Sequence, residues 1–82
     1  MPYSPDLVSE IDVLALFDLD NHLSGVKIRH DARPDAIAAA RRLHQKGLVT
    51  QPDGGYLTDL GRDAAEHVQG LMLILTQPEQ VN

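Results

Sequence analysis

Eighty-two residues make a single domain, since so short a chain buries only about 60% of the surface that its unfolded form exposes. With 43% apolar residues but one Phe, two Tyr and no Trp, the core has to come from Leu, Ile, Val and Ala, a composition that often needs a second chain to complete it. The absence of Cys excludes disulfides, thiol nucleophiles and thiolate metal sites, and a net charge of −5 excludes a chain that is basic throughout.

Ser4-Pro5-Asp6 opens the first helix: Ser caps the orphan N–H groups, Pro suits the first helical position, and Asp suits the positive end of the dipole. Leu7, Ile11, Leu14 and Ala15 recur at helical spacing and predict a helix to about Leu19, closed by Asp20-Asn21-His22. After Gly25, "VKIR" alternates apolar and basic residues, which predicts a short strand with Val26 and Ile28 inward and Lys27 and Arg29 in water. Asp31 to Pro34 form a turn into a second helix over residues 34–46, with Asp35 in its first turn and Arg41, Arg42 and Lys46 towards its end; Gly47 stops it. At about 100° per residue, Ala36, Ile37, Ala40 and Leu43 share one side of this helix, and Ala38, Arg41, Arg42, Gln45 and Lys46 surround the other.

"LVTQ" and "YLT" are β-prone runs joined through Pro52-Asp53-Gly54-Gly55, a hairpin signal. Thr58 caps a long C-terminal helix with Asp59 in its first turn, and Leu60, Ala64, Val68, Leu71 and Leu75 recur along it. Near its end Met72, Leu73 and Ile74 fill the remaining faces, and a helix that is apolar all round needs cover, from the first helix or from a second copy. Val68, Leu71, Met72 and Leu75 are therefore the expected homodimer interface. Residues 77–82 read as a loose tail on a single winged-helix-like domain spanning 1–82. The expected fold class is α+β, with the order α-β-α-β-β-α of an abbreviated winged helix-turn-helix, a fold in which the lone strand joins the hairpin in a small three-stranded sheet and the helix ahead of the hairpin is the one presented to DNA.

"LHQKGLVTQPDGGYLTDLGRDAAE", residues 43–66, resembles the end of the recognition helix, the wing and the following helix of winged-helix proteins of the MarR and related bacterial transcription-factor type. In those proteins a Leu-x-x-Lys-Gly-Leu-Val run closes the helix into a strand, matched here by Leu43, Lys46, Gly47, Leu48 and Val49. A Leu-Thr-x-x-Gly-Arg run starts the helix after the wing, matched by Leu57, Thr58, Gly61 and Arg62. As a whole the chain also resembles a small family of uncharacterised proteobacterial proteins of about this length, described at most as candidate DNA-binding proteins. The resemblance implies transcriptional regulation. One departure stands out: a full winged helix has a further helix between its first strand and its recognition helix, where this chain has only "HDAR".

Charge is distributed unevenly. Residues 1–26 carry −5 with no Lys or Arg, residues 27–50 carry +4 from Lys27, Arg29, Arg33, Arg41, Arg42 and Lys46 against Asp31 and Asp35, and residues 51–82 carry −4. Local field rather than total charge decides where a polyanion lands. For double-stranded DNA, Arg41, Arg42 and Gln45 are the candidates for base edges, Lys27, Arg29, Arg33 and Lys46 for phosphates, and the small Ala38 lets the helix approach. The hairpin tip carries Asp53 and no base, which makes it a poor DNA contact. The alternative is a protein-interaction or dimerisation module acting through the apolar C-terminal helix, with the basic residues as a solvated face.

An enzyme is not expected. His22, His30, His44 and His67 have no metal-ligand spacing, His44 falls at the core edge of its helix, no acid pair sits on an apolar wall, and no small-molecule pocket is evident. Neither cofactor nor metal is called for. The first twenty residues have acids where a signal peptide has a basic region, and "LMLIL" is far short of the roughly 20 residues of a membrane span, so the expectation is a cytoplasmic protein without membrane contact.

Overall fold

The computed structural model describes residues 3–21 and 23–77. Its elements run α1 (Pro5–Leu14), β1 (Val26–Lys27), α2 (Pro34–Gln45), β2 (Val49–Gln51), β3 (Gly54–Leu57) and α3 (Asp59–Leu75), the α+β order expected. The sheet is antiparallel in the order β1-β3-β2, so the lone strand does join the hairpin. His22 and the expected tail from residue 78 onward lie outside the described residues.

Ser4 caps α1, its Oγ accepting from the Leu7 N–H at 3.2 Å, with Pro5 and Asp6 in the first turn. The helix ends at Leu14 instead of running to Leu19. Tighter bonds from the Leu16 N–H to the Val13 carbonyl and from the Phe17 N–H to the Leu14 carbonyl bend the chain, and the Asp18 carboxylate accepts from the Asp20 N–H at 2.9 Å. Asp is better used in such a turn than at the negative end of a helix dipole. The bend delivers Phe17 to the core, 3% exposed. The inward stripe is accordingly Glu10, Val13, Leu14 and Phe17, not Leu7, Ile11, Leu14 and Ala15; Leu7 and Ala15 are exposed.

On α2 the buried residues are Ala39, Ala40 and Leu43, while Ala36 and Ile37 are half-buried. Its end is a Schellman motif: the Gly47 N–H reaches the His44 carbonyl, the Leu48 N–H reaches the Leu43 carbonyl at 2.9 Å, and Gly47 takes the left-handed conformation at φ +80°. The hairpin turn is the pair Pro52-Asp53; Gln51 faces Gly54 across it. Gly54 and Gly55 belong to the strand, because β3 is central and a Cβ on either would strike a neighbour, Val26 on one side and Thr50 on the other.

Thr58 organises the next corner. Its Oγ1 accepts from the Gly61 N–H at 3.0 Å and donates to the Gly47 carbonyl at 2.6 Å, tying the end of α2 to the start of α3. Gly61 rests directly on the Leu48 carbonyl, where no side chain fits. Beyond it Ala64, Ala65 and Val68 face a core of Val13, Leu14, Phe17, Ala39, Leu43 and Val49. Leu60, expected in this stripe, is exposed.

Candidate functional site

The basic segment splits along the two flanks of α2. On the flank facing α1, Glu10 stands in the apolar stripe and is 5% exposed. It accepts from Arg42 Nε at 3.0 Å and from Lys46 Nζ, while Arg42 also donates to the Asp6 carbonyl at 3.1 Å. Burial pushes the Glu10 carboxyl up, but the hydrogen bonds from Lys46 and Arg42, together with their charges, outweigh it and hold the carboxyl below its ordinary value. Two of the six bases are therefore engaged within the fold, and the basic face is narrower than the helical wheel implies. An acid at a stripe position, spaced 10, 13, 14 and 17 with Val, Leu and Phe, was the sequence signal for this seam.

The opposite flank faces β1 and the hairpin. Here an open cleft of about 540 Å³ is lined by Lys27, Ile28, Arg29 and His30 at the end of β1, Ile37 and Arg41 on α2, and Pro52 and Asp53 on the hairpin turn. The Ile28 N–H donates to the Asp53 carbonyl at 2.7 Å and locks the turn to the strand end. Arg29 and Arg33 hold only local, exposed ion pairs, with Asp31 at 3.2 Å and Asp35 at 3.4 Å. Among the described residues, Lys27 and Arg41 have no carboxylate within ion-pair distance. Ala38 is half-buried and Gln45 exposed on the outer face of α2. The structure thus brings Lys27, Arg29 and Arg41 together and takes Arg42 and Lys46 away from them. It also corrects the expectation of no pocket: His30, Ile37, Pro52 and Asp53 join the site only because strand end, helix and turn converge. No sequence spacing announces that convergence. His44 is exposed, not at the core edge. Among the described residues no three His, Asp or Glu side chains converge on a metal-ligand geometry.

The apolar end of α3 is a second feature. Val68 is half-buried against the core of its own chain, whereas Leu71, Met72, Leu73, Ile74 and Leu75 are 46–69% exposed, so α1 gives them no cover. The division falls at Gln69, whose Nε2 donates to the Phe17 carbonyl at 2.7 Å and the Leu14 carbonyl at 3.3 Å, capping the end of α1. Arg62 acts likewise on the Leu19 carbonyl at 3.0 Å. No helix among the described residues is long and apolar enough to cross a membrane.

Comparison with known proteins yields a family but no activity. The chain belongs to DUF5669, a family of unknown function, matching it over residues 1–76. No curated protein and no solved structure matches the chain. Membership of DUF5669 covers all six elements and leaves the chemistry of the cleft and of the α3 end to be argued from their residues.

Proposed function

We propose that this DUF5669 protein is a non-enzymatic DNA-binding module of winged-helix type that meets the duplex with the β1–α2 edge. The observation that carries the reading is the pairing on one edge of Lys27 and Arg41, cations without carboxylate partners among the described residues. Arg41 and Gln45 supply base-edge contacts, and Ala38 permits close approach. Lys27, Arg29 and Arg33 hold phosphates, since exposed ion pairs such as Arg29–Asp31 are worth about 0–1 kcal/mol and exchange readily for a phosphate. Arg42 and Lys46 drop out of the contact set. The turn at Asp53 repels the backbone and keeps the hairpin off the groove. On this reading the protein acts in the cytoplasm on double-stranded DNA.

Anisotropy titration of the full chain with a labelled duplex at several salt concentrations tests this. Three phosphate-holding cations, Lys27, Arg29 and Arg33, give a slope of log K on log salt of about −3, against about −5 if all six bases of the segment met phosphates. A duplex that does not bind at low salt sinks the reading.

A second reading, a self-association module acting through the end of α3, is favoured by the consecutive exposed run from Leu71 to Leu75. The two combine in a homodimer that offers two β1–α2 edges to successive half-sites. Sedimentation as a monomer at high concentration would remove the dimer.

A further inference from the structure

We infer that the cleft between the end of β1, α2 and the hairpin turn is a binding site for a small phosphomonoester with a flat apolar body. Its size is right for a compact ligand, since sites for small molecules run from about 300 to 1,000 Å³ and this cleft holds about 540 Å³. Its chemistry has two parts. Lys27 and Arg41, which have no carboxylate within ion-pair distance among the described residues, line it beside Arg29, whose exposed pair with Asp31 exchanges readily for another anion. With Asp53 the one carboxylate of the lining, a dianionic phosphate can take donors from all three cations where a carboxylate satisfies fewer. Ile28, Ile37 and Pro52 supply the apolar lining for a ring, and His30 adds a ring nitrogen for a further polar contact. The site is preformed on the ligand's scale, because the Ile28 N–H bond to the Asp53 carbonyl fixes the turn against the strand and Ile28 also packs on the core. The inference does not rest on duplex binding. A free phosphomonoester and a nucleic-acid phosphate would use the same cations, so the ligand displaces any DNA bound at this edge.

The test is a titration of the isotope-labelled full chain followed by amide chemical shifts, with phenyl phosphate as the probe and inorganic phosphate and phenol as separate arms. Phenyl phosphate is expected to shift the amides of residues 27–30, Ile37, Arg41 and Asp53, and to bind at least about tenfold more tightly than either fragment, because each fragment lacks one half of the site. Arg41→Gln and, independently, Lys27→Gln weaken it about tenfold each, whereas Glu66→Gln, at an exposed position of α3 that does not line the cleft, leaves it unchanged. Inorganic phosphate binding as well as phenyl phosphate would reduce the site to general anion attraction and overturn the inference. So would phenol binding as well, shifts centred on residues 71–75, or no response to either cleft variant. Failure of duplex binding alongside a positive titration would overturn the DNA reading only, and the reverse result would overturn the cleft only.

Discussion

Arg41 and Arg42 are neighbours in sequence and about 100° apart on α2, and they end in opposite circumstances. Arg42 lies against α1, its side chain 28% exposed, bonded to Glu10 and to the Asp6 carbonyl; Arg41 stands exposed on the rim of a cleft with no carboxylate beside it. A run of bases thus divides into a paired and an unpaired population among the described residues, and the side of the helix on which a buried acid stands decides which is which. The two halves of α3 repeat the lesson with apolar residues: Gly61, Ala65 and Val68 are spent on the core, whereas Leu71 to Leu75 remain on the surface.

The largest expected effect comes from breaking the seam. Glu10→Ala removes the acceptor of Arg42 and Lys46 and costs about 2–4 kcal/mol in denaturant unfolding, less than for a fully buried pair because both cations can turn to water. A loss below about 0.5 kcal/mol would mean that the α1–α2 contact does not depend on this ion cluster. The pH dependence follows from the same group. The folded carboxyl titrates below its ordinary value of 4.5, so its contribution is present in full above that pH and is lost as the pH falls through the folded pKa. Thermal melts are expected to drop on this acid limb, and Glu10→Gln to flatten it.

Next in size is an exchange of roles between the two arginines. Arg42→Ala is expected to lower stability by about 1–2 kcal/mol, leaving Glu10 with Lys46 alone. Arg41→Ala is expected to change stability by less than about 0.5 kcal/mol and to weaken duplex binding by about 1–3 kcal/mol, read by anisotropy beside unfolding. Equal effects of the two on binding, with both variants folded, would erase the distinction between the flanks.

The smallest effects on stability separate the halves of α3. Val68→Ala opens space beside the core and costs about 1 kcal/mol, while Leu71→Glu with Leu75→Glu stays within about 0.5 kcal/mol for the monomer. Sedimentation distinguishes them in the other direction, since only the Glu pair is expected to abolish self-association. A Glu pair that destabilises the monomer would show that this end packs on its own chain.

The amino-acid sequence by itself determined the elements and their caps. Ser4 and Thr58 cap their helices, Gly47 ends α2, Val26 and Ile28 turn inward, and the α-β-α-β-β-α order follows, because these signals act within a few residues of chain. Where local rules compete, boundaries shift by a few residues: α1 stops at Leu14 and not near Leu19, and Gly54 and Gly55 lie in β3 and not in the turn, because a central strand is flanked on both sides. The tertiary structure alone decided which charges are free. Periodicity gives the direction of a side chain around its own helix, but whether Arg42 meets water or Glu10 depends on how α1 and α2 cross. Whether Lys27 and Arg41 share a cleft depends on a sheet that pairs residues 26–27 with 54–55. Those are contacts between segments distant in sequence, set by the packing of the common core, and no local pattern carries them.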